Sequence, residues 1–320
     1  MSRARRVLGR GLRFGLTAMV TLALLAVLVR SFGGAGDFFA AARRARPSWV
    51  VASFAASTAC VLLTTARWQL VVSAMGYALP FRRALEVVLA TWPLAVVTPS
   101  RANDLLRPLA VRDQIPLTAG AAGVVAEKAI DLGLLLAVAA AGAAFNALWA
   151  WAGLIALVLG AEVAVIALVF TRRAWLSGLP LVRRRPQLVG DLFDALSSLA
   201  RAPGTLASIA ATSLLIRLFT VLITHTLLVA VGADVSLLQT LTLWPAAMLV
   251  GVAPLTLGGM GTRDAAFLAL LAAQGAHVDA SHVLVATVGY SAVATGSFAV
   301  IGLPWMIRET LAVRSSKREP

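Results

Sequence analysis

Apolar residues run along this chain in long uninterrupted stretches rather than alternating with polar ones. The stretch from Phe14 to Val29 contains no charged residue, and neither does the stretch from Leu132 to Gly160. Because a helix needs about 20 apolar residues to cross a hydrocarbon core of about 30 Å, runs of this kind predict bilayer-spanning α-helices. The apolar segments are 14–30, 48–75, 84–100, 117–143, 147–170, 205–231, 237–257, 263–275 and 281–306.

Two regions of this pattern are interrupted by proline and glycine. Both contain a Trp-Pro pair, a later proline and then an arginine followed closely by an aspartate: Trp92-Pro93, Pro99, Arg101 and Asp104 in the first, and Trp244-Pro245, Pro254, Arg263 and Asp264 in the second. Broken backbone at membrane depth is tolerated only where protein or a wet cavity satisfies its polar groups. We therefore predict that 84–112 and 237–275 are re-entrant or broken-helix hairpins.

The distribution of arginine predicts which side of the membrane each connection faces. The segment 171–204 is strongly basic and contains an amphipathic helix from Gln187 to Leu199, so the positive-inside rule places it in the cytoplasm with both termini. The connections 141–147 and 232–236 carry almost no positive charge and are predicted to face outward. The segment 30–47 is predicted to be an outward loop, although its arginines break the rule.

These sides constrain how often the chain crosses the membrane. After the first span of each half, one hairpin and one further span bring the chain to the predicted side. Each half is then a span, a hairpin and a span, and 48–143 and 205–306 form an inverted repeat whose hairpins enter from opposite faces. The predicted sides are equally satisfied if each hairpin is instead split into two full spans. The predicted fold class is an all-α integral membrane protein, a single polytopic domain over 1–320 with about six to eight transmembrane helices. The predicted location is the bacterial inner membrane.

Composition narrows the partners of the chain. Of its 320 residues 60% are apolar and 13% are charged, against roughly a quarter charged in soluble domains. The net charge of +14 comes largely from residues beside apolar runs, which predicts contact with anionic headgroups and not with nucleic acid. The lone Cys60 excludes an intramolecular disulfide. His225, His277 and His282 have no zinc-site spacing, and no cofactor motif is present, so neither metal nor cofactor is predicted.

Charged residues inside apolar segments are candidates for function, because they are costly in a bilayer. Glu127 and Asp131 lie four residues apart on one face of 117–143, with Lys128 beside them. Two interpretations are open for this group. It is either a structural ion pair with an arginine of a neighbouring helix, or a site for a headgroup or a proton.

Two of the apolar segments carry a polar stripe at helical spacing. The stripes are Ser53, Ser57, Cys60, Thr64 and Arg67 in 48–75, and Ser213, Arg217, Thr220 and Thr224 in 205–231. Small polar stripes are typical of helix-packing seams, but the arginine on each stripe favours the lining of a cavity. Trp68, next to Arg67, is predicted to be an anchor at the membrane interface.

Four ordered motifs resemble those of the lysylphosphatidylglycerol synthetase transmembrane-region family, also called flippase-like membrane proteins. They are Ala66-Arg67-Trp68, the Pro-x-Arg-x-x-Asp-x-x-Arg of Pro99 to Arg107, the Glu-Lys-x-x-Asp of Glu127 to Asp131, and the Gly-x-Gly-x-Arg-Asp of Gly259 to Asp264. The likeness extends over 14–306. Where the family has Gly-Glu, Arg and Glu, this chain has Asn103-Asp104, Lys128 and Asp264, which preserve charge.

The resemblance implies that an anionic lipid or a lipid-linked glycan is moved between leaflets. Under this transport hypothesis, the candidate headgroup-binding residues are the charged residues within or beside the apolar segments: Arg67, Arg101, Asp104, Arg107, Glu127, Lys128, Asp131, Arg217, Arg263 and Asp264. Members that make lysyl-lipid carry a soluble synthetase domain after the membrane part. Because the chain stops at Pro320, we expect it not to be an enzyme and not to aminoacylate lipids.

Two other functions are compatible with the sequence. One is a membrane-embedded transferase that modifies lipids, and the other is a non-catalytic partner of envelope-biosynthesis enzymes. For the transport hypothesis, we expect the two hairpin tips to meet near the bilayer midplane. We also expect Arg263 and Asp264 each to pair across the repeat rather than with each other.

Overall fold

A computed structural model of the chain describes residues 3–31, 34–96, 99–171, 186–253 and 255–315. Within these ranges the regular structure is helical and no strand occurs. In chain order the helices are α1 (Arg3–Ser31), α2 (Gly34–Arg43), α3 (Pro47–Ala74), α4 (Phe81–Ala95), α5 (Arg107–Ala110), α6 (Leu117–Phe145), α7 (Trp149–Thr171), α8 (Pro186–Ala200), α9 (Pro203–Val231), α10 (Leu237–Val252), α11 (Thr262–Ala273), α12 (Ala280–Ser291) and α13 (Ser297–Ser315).

Four stretches are long and apolar enough to cross a membrane. They are α3, α7, α9 and the continuous Ala280–Leu311, in which a π-helical turn joins α12 to α13. A fifth is counted if Thr17–Ser31 and α2, which meet at 90°, form one broken span. The chain is therefore a multi-pass helical membrane protein. The larger span number and the inverted repeat stay predictions.

The segment 30–47 differs from its predicted loop, because Gly34–Arg43 forms α2. This helix has Asp37 in its first turn and Arg43 in its last, charges that complement the helix dipole. Ten residues are too few to span a bilayer, so the apolar run alone did not reveal the helix. The predicted amphipathic helix in 171–204 is present as α8, whereas 172–185 lies outside the described residues.

The helices α3 and α9 form a long antiparallel pair. The backbone N–H of Arg46 donates to the carbonyl of Ala230 at one end, over 2.8 Å. Farther along, the Cys60 thiol is 3.7 Å from the carbonyl oxygen of Ile216. Because residue numbers rise on one helix as they fall on the other, the start of α3 and the end of α9 lie at the same end of the bundle.

Two other helix pairs approach so closely that glycine is required. A Cβ added to Gly142 of α6 would lie 2.1 Å from the carbonyl oxygen of Thr242 on α10. A Cβ added to Gly302 of α13 would lie 2.2 Å from the carbonyl oxygen of Leu89 on α4. One helix of each half thus packs against the helix of the other half that contains the Trp-Pro pair.

The two helices that contain a Trp-Pro pair, α4 and α10, lead into irregular tips. After α4, a 3-10 turn over Pro99–Leu106 leads into α5. After α10, a short 3-10 turn over Leu257–Gly259 leads through Gly261 (φ +86°) into α11. The two 3-10 turns contact each other. The tips of the two predicted hairpins are therefore neighbours.

The glycine contacts make a prediction about stability. We expect Gly142→Ala and Gly302→Ala to destabilise the folded protein by about 1–3 kcal/mol each, because the new methyl group would overlap a backbone carbonyl. Gly160→Ala in α7 is the control, since nothing lies within 4 Å of a Cβ at that position. Thermal unfolding in detergent measures the effect. Equal melting temperatures for all three variants would contradict this packing.

Candidate functional site

The acid at the centre of a buried charge network lies on α6. Glu127 is 1% exposed and lies between arginines from two other elements. Its Oε1 is 3.5 Å from Nε of Arg67 on α3, and its Oε2 accepts a hydrogen bond of 3.2 Å from Nη1 of Arg107 on α5. One carboxylate therefore connects α3 and the first hairpin to α6.

The second acid, Asp104, comes from the 3-10 turn at the first tip. Its Oδ1 accepts a hydrogen bond of 2.7 Å from Nη2 of Arg107, and its Oδ2 is paired with Nζ of Lys128 on α6. The amide of Asn103 donates to the carbonyl of Thr91 on α4 over 3.2 Å. The turn is therefore held by its own preceding helix and by α6.

The third acid, Asp131, extends the network to α9. Its Oδ1 accepts a hydrogen bond of 2.5 Å from Nη1 of Arg67, which also donates to the hydroxyl of Ser213 over 2.8 Å. The backbone carbonyl of Asp131 accepts a hydrogen bond of 3.5 Å from Nη2 of Arg217. Residues of both halves of the chain therefore meet at this acid.

The described network contains one more base than acids. Its bases are Arg67, Arg107, Lys128 and Arg217, and its acids are Asp104, Glu127 and Asp131. The Lys128 side chain is 38% exposed, whereas that of Arg107 is 2% exposed. The network is therefore accessible at Lys128, and this exposed cation suits an anionic group such as a phosphate.

A second charge cluster lies at the start of α11. The Arg263 guanidinium donates to Oδ1 of Asp264 through Nε and Nη2, over 3.1 and 2.8 Å, and to the hydroxyl of Ser291 over 3.0 Å. Its Cζ is 5.1 Å from the ring centre of Trp244 and 4.8 Å from that of Tyr290. Cation–π contacts and hydrogen bonds therefore enclose this arginine.

The prediction that Arg263 and Asp264 pair across the repeat is wrong. Oδ2 of Asp264 accepts a hydrogen bond of 2.9 Å from the backbone N–H of Gly261, which holds the carboxylate at the helix start. The neighbouring Arg263 side chain folds onto the other oxygen. The two tips are neighbours, while the Arg263–Asp264 pair stays within the second half. The Arg101 backbone lies in the first tip, and its side chain is outside the described residues.

The polar stripes of α3 and α9 are buried in the seam between these helices. The buried members are Ser53, Ser57, Thr64, Arg67, Ser213, Thr220 and Thr224. Hydroxyls such as those of Ser53 and Thr220 donate to backbone carbonyls of their own helix, over 2.7 Å in both cases. The stripes therefore form a packing seam between α3 and α9, and the cavity lining stays a prediction.

The aromatic partners of the arginines were not predicted. Trp68 is fully buried and is not an interfacial anchor, since the Cζ of Arg107 lies 5.8 Å from its ring centre. Tyr290 reaches Arg263 from α12. The Trp-Pro pattern drew attention to Trp244, but no local spacing connects it to an arginine on another helix.

A cavity of about 480 Å³ lies apart from these clusters, between α2 and the start of α12. Its lining includes Asp37, Arg44, Asp279 and His282. A hydrogen bond from the Ser281 hydroxyl lowers the pKa of Asp279, which also lies 2.8 Å from Nδ1 of His282. Among the described residues, no group of three histidine, cysteine or acidic side chains is arranged to hold a metal ion.

The network predicts unequal costs for two neighbouring substitutions. We expect Glu127→Gln to destabilise the protein by about 3–5 kcal/mol, because two buried arginines lose their shared counter-charge. We expect Lys128→Gln to cost about 1 kcal/mol or less, because Lys128 is partly exposed and Asp104 keeps Arg107. Denaturant unfolding in detergent measures both. Similar losses from the two variants would contradict the central position of Glu127.

The comparison with known families covers both charge clusters and both tips. Over residues 14–302 the chain matches the family described as the lysylphosphatidylglycerol synthase TM region, which confirms the resemblance of its motifs. Compared with individual curated proteins, it has no significant match. Because the family match extends over most of the chain, this protein belongs to the lysylphosphatidylglycerol synthase TM region family.

Proposed function

We propose that this protein moves an anionic lipid, or a lipid-linked glycan with an anionic phosphate, between the leaflets of the bacterial inner membrane. The observation that carries the proposal is the buried charge network, which is accessible at one of its cations, Lys128. A phosphate would bind that cation through charge-assisted hydrogen bonds. The family connects this membrane domain with lipid metabolism, which supports a lipid as the ligand.

The first tip provides the movable part of this mechanism. Asp104 shares its two oxygens between Arg107 and Lys128, so a phosphate arriving at Lys128 competes with a carboxylate on the 3-10 turn. Replacing that carboxylate would loosen the tip from α6 while Glu127 keeps Arg107 in place. The phosphate of the ligand would thus take the place of the Asp104 carboxylate, so that no unpaired charge is exposed to hydrocarbon.

Re-entrant hairpins fit the positions of the chain ends around each tip. Nη2 of Arg83, at the start of α4, donates to the carbonyl of Ala110 at the end of α5 over 2.7 Å, so this segment leaves and returns at one end. In the second half, the amide of Gln274 after α11 donates to the carbonyl of Asn146 after α6, over 2.9 Å. Gly142, one turn earlier on α6, packs on Thr242 near the start of α10. The second hairpin therefore also begins and ends near one place, the end of α6.

An inverted repeat also fits the pairing of helices. If α3, the first hairpin and α6 correspond to α9, the second hairpin and α12–α13, three types of contact are expected to be symmetric. The first helices pair with each other, the tips pair with each other, and each final helix packs on the helix of the other half that contains the Trp-Pro pair. Repeats related in this way place one site where either side can reach it.

The orientation is tested by labelling single cysteines in a Cys60→Ser background. We expect Ala78→Cys to react with a membrane-impermeant maleimide only from the cytoplasmic side. We expect Asn146→Cys and Asp234→Cys to react only from outside, because their connections are almost free of positive charge. Intact cells and inverted vesicles provide the two sides. Cytoplasmic labelling of Asn146→Cys would overturn the proposed orientation and the side from which each hairpin enters.

Leaflet exchange tests the proposed function directly. In proteoliposomes with fluorescent phosphatidylglycerol, we expect the protein to accelerate exchange and Asp131→Asn to abolish it, because Arg67 then loses the carboxylate that positions it. Exchange is measured by quenching of the outer-leaflet probe. Asp191→Asn, an exposed acid on α8, is the control and should leave the rate unchanged.

Two other outcomes would replace the proposal. Formation of a new lipid product would indicate a membrane-embedded transferase. Wild-type protein that neither exchanges nor modifies any of the anionic lipids supplied would indicate a non-catalytic partner of envelope-biosynthesis enzymes. Loss of Asp131→Asn from the membrane fraction would show that this acid supports folding rather than transport.

A further inference from the structure

Glu162 is the only charged residue of α7, the most apolar of the candidate spans. The most apolar 18-residue window of the helix has a mean hydropathy of 2.6, and only 6% of that window is buried within the protein. At a rise of about 1.5 Å per residue, Glu162 lies about 20 Å from Trp149 and about 14 Å from Thr171. A hydrocarbon core of about 30 Å would therefore enclose it near the middle.

The carboxyl group of Glu162 faces α6 rather than a base. Its Oε2 is buried and has no hydrogen-bond partner within the described structure. A Cβ added to Gly133 of α6 would lie 3.4 Å from this oxygen, at ordinary van der Waals distance, so the carboxyl group lies against the shallow recess left by the absent side chain. Glu162 also takes part in none of the ion pairs found in the described parts of the chain.

The charged groups on the packed helices are engaged elsewhere. On α6, Glu127 and Asp131 bind Arg67, and Lys128 binds Asp104. The helix α10, whose Ala246 and Leu249 join the apolar cluster shared by α6 and α7, has no titratable side chain. No described cation therefore stands ready to neutralise an ionised Glu162.

An ionised carboxylate without a partner is very costly in hydrocarbon, and such a group avoids the cost by taking up a proton. We propose that Glu162 is a proton-binding carboxyl group in the recess at Gly133, neutral at pH 7, whose protonation is coupled to lipid movement. The coupling rests on the proposed function, whereas proton binding by Glu162 does not depend on it. Because a neutral carboxyl can lose its proton when water or a headgroup reaches α6, the site offers a link between the charge network and a proton gradient.

Dicyclohexylcarbodiimide tests proton binding without any transport assay. This apolar reagent adds to protonated carboxyl groups within membranes, the acid proton passing to its nitrogen and the carboxyl oxygen to its central carbon, with no leaving group. We expect mass spectrometry to find the adduct on Glu162 at pH 7. Glu86 and Glu309, paired with Arg308 and Arg83, should stay unmodified.

Two variants make this experiment decisive. Glu162→Gln should remove the adduct, whereas Glu309→Gln should leave it unchanged. Wild-type protein that is unmodified at Glu162 at pH 7 would overturn the proposal, because it would show an ionised or shielded carboxyl group.

Coupling is tested in proteoliposomes with an imposed pH gradient. We expect the gradient to change the wild-type rate of phosphatidylglycerol exchange and to leave the rate of Glu162→Gln unchanged. A variant that responds to the gradient as the wild type does would overturn the coupling. If the wild type shows no exchange at all, the proposed function fails, while carbodiimide labelling still decides whether Glu162 binds a proton.

Discussion

The carboxylate of Glu127, held between Arg67 and Arg107, is the interaction on which the rest of the structure depends. A bilayer offers no water to a buried charge, so each ion on an apolar helix has to find a counter-ion on another element. Arg67 comes from α3 and Arg107 from the first hairpin, and satisfying both brings those elements against α6. The polar network therefore determines where the apolar helices pack, although apolar surface is far more abundant.

The two hairpins solve the same electrostatic problem in different ways. In the second, Arg263 is enclosed by Asp264 and by two aromatic rings, so its charge is balanced locally and shielded. In the first, the charge of Asp104 is divided between Arg107 and the partly exposed Lys128. The two tips are neighbours, so a locally balanced charge in the second lies close to a divided one in the first.

Close backbone contact supplies the remaining constraint. In lipid, helices gain little from burying apolar side chains against one another, and close packing at small residues contributes instead. Gly142 and Gly302 each let a helix of one half approach a helix of the other half to backbone distance. The contact at Gly133 is looser, because a Cβ there would lie at ordinary van der Waals distance, 3.4 Å, from Oε2 of Glu162.

The sequence alone determined the membrane character, most helix boundaries and the family, because these depend on local composition and on motif order. The segment 48–75 and the helix Pro47–Ala74 differ by one residue at each end. Helical spacing also placed Glu127 and Asp131 on one face. Only the tertiary structure decided which bases they contact, that Asp264 turns back to its neighbour, and that Glu162 faces a glycine. Those outcomes depend on how helices that are distant in the sequence approach each other. Helical spacing of 3.6 residues per turn predicts which residues share a face of one helix, but not which residues of another helix that face contacts.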